Sequence, residues 1–262
     1  MYDFNYVKAG SIAEAVAALQ AEDAQPISGG QTLLPTLKAR LGQPSALVDL
    51  SRIGEMKGVS VGDGRIRIGG ATTHHQVAES ADVKSAIPAL ATLAGHIGDP
   101  AVRHKGTIGG SVANNDPSAC YPSACLALGA TIHSSGGDFA ADDFFLGMFD
   151  TALEEGQIVT GVSFPIPEAA NYQKFLQPAS RFALVGVFVA KFADGVRVAV
   201  TGASEGGVFR WTAAEEALSA NFSPEATPDA PEAEGMIGDL HGSPEYRAHL
   251  VKVMTKRAVA AC

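Results

Sequence analysis

Cysteine is nearly absent from this chain: Cys120, Cys125 and Cys262 are its whole complement. An odd count without framework spacing gives no disulfide scaffold and suits a reducing cytoplasm. The Cys120–Cys125 gap matches half of a plant-type iron–sulfur spacing, but the other ligands are missing. Basic charge is also scarce. There are 19 Lys and Arg against 28 Asp and Glu, a net charge of −9, which argues against nucleic acid or an anionic membrane as partner. The longest strongly apolar run, Phe182 to Ala190, is far too short to span a bilayer, so no integral membrane segment is expected. Met1 to Gly10 lacks the basic-then-apolar layout of a signal peptide. The expected location is the cytoplasm.

Catalytic motifs are missing too. There is no nucleophile elbow, and nothing suggests a Ser-His-Asp set. His74 and His75 are adjacent, so on a helix they point apart, and no Cys or acid cluster accompanies them. They read as solvated or loop-capping histidines, with no metal expected. Asp142-Asp143 and Glu154-Glu155 read as solvated surface charge.

What is present is a globular composition, with 46% hydrophobic residues, 18% charged residues and 29 glycines in 262 positions. Phe4 to Ala9 reads as a strand. Ser11 caps the next helix, with Glu14 at the capping-box position. Gln25 to Ser28 is a short strand, Thr32 to Arg40 a helix with Pro35 in its first turn, and Ala46 to Leu50 a third strand. Lys57 to Gly70 alternates as a hairpin around Gly62-Asp63-Gly64. Helices are expected from about His75, over 82–94 and over Pro122 to Leu128. Gly95 to Lys105 reads as an irregular loop, and strands are expected at Ala130 to Ser134 and Gln157 to Phe164. Tyr172 to Gln177, Ala183 to Ala193 and Val196 to Ala203 then read as three antiparallel strands. A helix over 212–219, an exposed loop over 221–235 and a last helix from Ser243 to about Ala260 complete the chain. The expected fold class is α+β, with a two-lobed domain at 1–168 (lobes about 1–55 and 56–168). A smaller domain at 169–262 would hold the three-stranded antiparallel sheet and helices.

A glycine pair occurs twice, in Ile27-Ser28-Gly29-Gly30-Gln31-Thr32-Leu33-Leu34-Pro35 and in Gly106-Thr107-Ile108-Gly109-Gly110-Ser111-Val112-Ala113-Asn114-Asn115-Asp116-Pro117. Neither is a Walker A motif or a G-x-G-x-x-G fingerprint. Glycine has no Cβ to hold a ligand away, so two such loops can place bare N–H groups around one diphosphate. Taken singly, either pair fits a tight turn or close helix–strand packing better than a phosphate site. Gly29-Gly30 sits between a strand and a helix, where amides and dipole suit phosphate. Thr32 and Ser111 add hydroxyl donors.

The string Thr107 through Ala124 resembles the second flavin-binding loop of the medium, FAD-carrying subunit of molybdenum hydroxylases. That family includes the aerobic carbon monoxide dehydrogenase medium subunit and the xanthine dehydrogenase flavin domain. Ser28 to Pro35 is similar to its first loop, and Gly69-Gly70-Ala71-Thr72-Thr73-His74 to the segment between. Gln177 to Val187 and Asp239 to Arg247 resemble its C-terminal signatures. The resemblance covers nearly the whole chain.

It implies a PCMH-type FAD-binding domain over 1–168 and a C-terminal CO-dehydrogenase-flavoprotein-like domain over 169–262. Ser28, Gly29, Gly30, Gln31, Thr32 and Leu33 would surround the FAD diphosphate together with Thr107, Ile108, Gly109, Gly110 and Ser111. Asp116 would bond a cofactor hydroxyl or cap its own turn. Val159 would meet the flavin ring through its backbone, and Phe182 would lie against one face. Cys120 stands where many relatives carry an Asp facing the flavin, and Gln177 where some carry a Lys; Lys174 is a nearby substitute. No catalytic residue is implied on this chain. The implied partners are a large molybdopterin-binding subunit and a small [2Fe-2S] subunit, in a heterotrimer or its dimer. Electrons would pass from the clusters through FAD to an external acceptor. Two alternatives stay open: a free-standing flavoenzyme, which needs an acid or base over the flavin, and a flavin-free assembly module.

Overall fold

The computed structural model describes residues 1–177 and 181–262. Its start is the expected α/β unit: β1 (Asn5–Lys8), α1 (Ile12–Ala18), β2 (Ala24–Ile27), α2 (Leu33–Lys38) and β3 (Ala46–Asp49). β3 lies in the middle and pairs parallel with both others, so Val48 faces Val7 on one side and Pro26 on the other. Parallel pairing needs crossovers, and the two helices supply them. Ser11 starts α1 by accepting from Glu14 N at 3.2 Å. Glu14 reaches back to Gly10 N at 2.7 Å, one residue earlier than a capping box requires.

The hairpin follows as β4 (Val59–Gly62) and β5 (Arg65–Gly69). Asp63 and Gly64 sit at φ 51° and 68°, the left-handed pair that a tight hairpin turn uses. Next are α3 (His74–Glu79), α4 (Ala81–Ala86) and α5 (Pro88–Gly95). The single helix expected over 82–94 is broken because Pro88 has no N–H with which to continue α4. α6 (Pro100–Arg103) falls in the stretch expected to be irregular. Its signal is present in the sequence: Asp99 accepts from Val102 N at 2.9 Å, and Pro100 fills the first helical position.

The middle region continues with α7 (Ile108–Asn114), α8 (Tyr121–Ala127), β6 (Thr131–Ser134), β7 (Asp138–Ala140), α9 (Ala141–Phe144), β8 (Phe145–Gly147), β9 (Asp150–Thr151) and β10 (Val159–Pro165). β10 returns between the hairpin and β6, giving the antiparallel order β4-β5-β10-β6-β7. Ile66, Ile68, Ile132, Val162 and Phe164 turn inward, alternating with polar residues as a one-sided sheet requires. On the other face His133 Nδ1 lies 2.8 Å from Asp138 Oδ1, and His133 Nε2 lies 2.7 Å from Ser163 Oγ. The fold thus assembles a Ser-His-Asp set that no motif marks, because its members come from three strands.

β11 (Ala169–Leu176), β12 (Ala183–Phe192), β13 (Gly195–Ser204) and β14 (Gly207–Arg210) form an antiparallel meander, followed by α10 (Thr212–Ala220) and α11 (Pro244–Ala260). The sheet has four strands where three were expected; β14 is four residues long, too short for its alternation to register. β12 is covered on both faces. Val187 and Val189 pack with residues of α10 and α11, while Phe188 and Ala190 join the cluster of α8. That explains the continuous apolar run of Phe182 to Ala190. One cluster includes Ile66, Phe164, Tyr172 and Ala199, so the core runs across residue 168. Asp142 is exposed, as expected, but it is also paired. It takes two hydrogen bonds from Arg197, at 2.8 and 2.7 Å, and lies 3.6 Å from Arg210. Arg210 forks in turn onto Glu215.

Among the described residues no helix is long and apolar enough to cross a membrane. None of their His, Cys, Asp and Glu side chains form a group of three or more that could hold a metal.

Candidate functional site

A cleft of about 840 Å³ opens between the β2–α2 turn, the segment entering α7, β10 and the end of β11. Every expected site residue lines it except Ile108. The Ile108 side chain is fully buried in the core, and its N–H donates to Thr72 O at 3.1 Å. Pro178, Ala179 and Ser180 of the C-terminal string lie outside the described residues.

The two glycine pairs are brought together, but they do different things. Gly29 leads from β2 into the turn with its Cα against the Lys105–Gly106 backbone; a Cβ there would lie 2.6 Å from Gly106 Cα. Gly30 has φ +66°, a conformation that glycine adopts without penalty. None of the amides of Gly29, Gly30, Gln31, Thr32 and Leu33 has an acceptor among the described residues. This wall of the cleft is the expected set of bare donors.

The second pair is not a loop. Gly109 and Gly110 lie in the first turn of α7, and its amides are taken. Gly109 N donates to Gly70 O at 2.9 Å, Gly110 N to Thr107 Oγ1 at 3.2 Å and Ser111 N to Thr107 O at 3.0 Å. Gly109 is glycine because the chain at Gly70 passes directly over it: a Cβ would stand 2.6 Å from Gly70 O. What this wall offers to a ligand is hydroxyl, not amide. Thr107 Oγ1 donates to Ser28 Oγ at 2.9 Å, locking the two walls together. Ser111 lines the cleft one residue on.

Toward the C-terminal sheet, Asp116 caps its own turn, accepting from Ser118 N at 2.8 Å. Pro117 O receives Gly202 N at 2.7 Å, which pins this turn to β13. Cys120 is buried at the start of α8, and Val159 is buried where β10 bulges. Phe182 is half exposed on the cleft instead of being a core aromatic. Gln177 does not line the cleft. Lys174 does, with Nζ on His96 O at 2.9 Å.

His74, expected to be solvated or loop-capping, is 5% exposed and lines the cleft. Its Nδ1 is buried without a hydrogen-bond partner, as is the hydroxyl of Tyr121, whose ring lies 5.4 Å away. The glycine-rich segment before it was the only available signal, since burial depends on α8. Burial, aided by the Arg103 charge, pushes the His74 pKa down to about 4. The unfolded chain then binds a proton between about pH 6.5 and 4 that the folded chain refuses, so stability falls as pH drops through that window. The full contribution is about 3 kcal/mol. In urea titrations at several pH values, His74→Leu should flatten this slope. Parallel curves for the two proteins would refute the assignment.

Residues 2–167 match the family model of the FAD binding domain in molybdopterin dehydrogenase. The chain belongs to this family. It is 33% identical to the glyceraldehyde dehydrogenase medium chain of Sulfolobus acidocaldarius, over 98% of this chain and 97% of that one. It is 35% identical to the nicotine 6-hydroxylase medium subunit of Paenarthrobacter nicotinovorans, over 97% and 95%. A solved carbon monoxide dehydrogenase chain from Hydrogenophaga pseudoflava superposes with a TM-score of 0.88 at 32% identity, covering 99% of this chain and 97% of that one. The protein is therefore an FAD-binding subunit of the molybdenum hydroxylase family, of carbon monoxide dehydrogenase type, and its cofactor is FAD.

The cleft fits that cofactor. Its volume is of the order that small-molecule sites reach. It presents a row of unpaired amides for a diphosphate, and its one acidic lining residue, Asp116, is occupied by its own turn.

Proposed function

We propose that this chain is the electron-transfer subunit of a molybdenum hydroxylase. It would receive electrons from [2Fe-2S] clusters of a small partner and deliver them through FAD to an external acceptor. A large molybdopterin-binding partner would carry out the hydroxylation, the three chains forming a heterotrimer or its dimer in the cytoplasm. Residues 1–168 would be the FAD-binding part and 169–262 the CO-dehydrogenase-flavoprotein-like part. In this reading Gly29 to Leu33 hold the diphosphate through their amides, and Ser28, Thr107, Gly110 and Ser111 flank it from the second wall. Val159, Cys120 and Phe182 line the ring end. FAD supplies the redox chemistry when bound, and the chain's share is binding, orientation and exclusion of water.

The observation that carries this reading is the pairing of unpaired backbone donors with a lining that holds no acid–base pair. Among the described lining residues Asp116 is the only acid and is engaged by its own turn, and burial lowers the His74 pKa to about 4, which leaves it a weak base. A free-standing oxidase would need such a pair to take a proton from its own substrate. The test is reconstitution. Flavin absorbance should bleach on adding the complex's substrate only when both partner chains are present. Bleaching by a small substrate with this chain alone would instead establish the free-standing flavoenzyme.

The hydroxyl lock between the walls makes a narrower test. Thr107 caps α7 and donates to Ser28, so Thr107→Val removes both bonds while Thr107→Ser keeps them. Loss of a cap and a hydrogen bond amounts to about 1–2 kcal/mol. FAD titration should show about tenfold weaker binding for the valine variant and near-native binding for serine. Near-native binding in the valine variant with a loss in the serine variant would mean that the methyl group, not the hydroxyl, matters.

A further inference from the structure

The cleft carries a buried histidine with nothing to bond. His74 opens α3, where Thr73 caps the helix by accepting from Gln76 N at 3.2 Å. The His74 backbone N–H donates to Gly106 O at 2.9 Å, which fastens it to the segment entering α7. Tyr121 packs against the imidazole, yet its hydroxyl bonds to neither ring nitrogen. Nδ1 is sealed off without a partner. Nε2 has no hydrogen bond among the described residues either, but it is not sealed in this way.

Gly106 gives Nε2 its opening. A Cβ on Gly106 would stand 2.6 Å from Nε2, so only glycine leaves that space free. The Val102 carbonyl beside the same space already takes Lys105 N at 3.1 Å and Gly106 N at 2.8 Å. A neutral imidazole has a single N–H. On Nδ1 that proton would be buried without an acceptor, at a cost of about 1–3 kcal/mol. On Nε2 it meets the gap at Gly106, and both residues line the cleft. Gly106 also touches Gly29, the first of the bare amides: a Cβ on Gly29 would lie 2.6 Å from Gly106 Cα. The free imidazole donor and the unpaired amides thus share one region of the cleft. Burial and the Arg103 charge keep the ring uncharged, so the donor needs no counter-ion.

We propose that His74 is a binding residue for the FAD diphosphate: its Nε2–H donates across the Gly106 gap to a diphosphate oxygen. The inference rests on the FAD reading of the cleft and adds one side-chain donor to the amides of Gly29 to Leu33. The contact is a hydrogen bond only; no proton is transferred and no covalent bond changes. It also gives a reason for glycine at 106, since any Cβ there would stand in the path of the donor.

The experiment is FAD titration of the full chain and of His74→Gln, His74→Asn and His74→Leu. A glutamine amide reaches as far along the side chain as Nε2, whereas an asparagine amide reaches only as far as Nδ1. His74→Gln should therefore bind FAD near-natively. The asparagine and leucine variants should bind about tenfold more weakly, the worth of one hydrogen bond to a charged group. In wild-type protein labelled with 15N at histidine, the Nε2 resonance that His74→Leu deletes should move on adding FAD. The 31P resonances of bound FAD should differ between wild type and His74→Leu, which a merely structural histidine would not cause. Wild-type affinity in His74→Leu, a glutamine variant as weak as leucine, or an Nε2 resonance that FAD leaves unmoved overturns the proposal. Identical 31P signals in the two proteins overturn the diphosphate as the acceptor. If the variants fold poorly, the Nε2 shift still decides, because it is read in the wild type. Failure of the wild type to bind FAD at all would overturn the cofactor assignment instead, and the two failures are separately visible.

Discussion

Alanine at Gly109 is expected to destabilise the chain by about 3 kcal/mol, whereas alanine at the neighbouring Gly110 leaves stability near or above the native value. The two glycines share a helical turn, and in a helix alanine is favoured over glycine by about 1 kcal/mol. At Gly110 little opposes that gain. The residue is exposed, and a Cβ would come no closer than 3.1 Å, to the Thr107 hydroxyl. At Gly109 the Cβ would stand 2.6 Å from Gly70 O and 2.9 Å from Gly70 Cα, and both are backbone. Gly70 cannot retreat, because its N–H is held by Thr160 O at 2.8 Å and its Cα lies against Val159 O. Overpacking a backbone contact of this kind costs about 1–3 kcal/mol or more. Thermal and urea unfolding of the two variants would decide the matter, and equal stabilities would show that the Gly70 crossing yields easily. FAD affinity should separate the pairs in the opposite sense. Gly30→Ala strains a left-handed residue at the wall with the bare amides, so it should weaken FAD with only about 1 kcal/mol of lost stability.

The contrast marks where the sequence could be read and where it could not. Short-range signals were legible. Ser11 and Glu14 announced α1, Gly62-Asp63-Gly64 announced the hairpin, and Ser243-Pro244-Glu245 announced α11, because each acts within one turn of chain. The Asp99-Pro100 start of α6 was equally local and equally readable. The same dipeptide Gly-Gly, however, carries no mark of what will pass over it. Gly29 is covered by residues 105–106 and Gly109 by residue 70, and only the assembled fold tells which wall keeps its amides. Burial of His74 under Tyr121 and the pairing of Asp142 with Arg197 are likewise long-range events. The site was therefore legible as a set of residues but not as a division of labour among them.

Arg247→Met should lower stability by about 3–5 kcal/mol and weaken FAD binding, although Arg247 does not line the cleft. Arg247 is 1% exposed. Its Nη1 donates to Leu184 O at 2.8 Å and Gly202 O at 2.7 Å, and its Nη2 to Asp239 Oδ2 at 2.8 Å. Methionine fills much of the volume but leaves two carbonyls and a carboxylate without their donor, at about 1–3 kcal/mol for each buried group. Lysine would retain the charge but not the fork, and should fall between the two. Burial opposes ionisation of Asp239. The amides of His241 and Gly242, with the hydrogen bond and charge of Arg247, outweigh it and hold its pKa below the ordinary carboxylate value. A depressed folded-state pKa stabilises above the unfolded value of about 3.9 and is lost as pH falls through the folded one. Native protein should therefore lose this contribution only below about pH 4, and Arg247→Met should lose most of that acid step. The link to the cleft runs through Gly202, whose carbonyl Arg247 holds and whose N–H secures Pro117 in the turn that carries Asp116 and Cys120. Releasing one side of Gly202 loosens the other. Arg247→Met that is destabilised but binds FAD at wild-type affinity would show that the C-terminal helix supports the fold without reaching the cofactor.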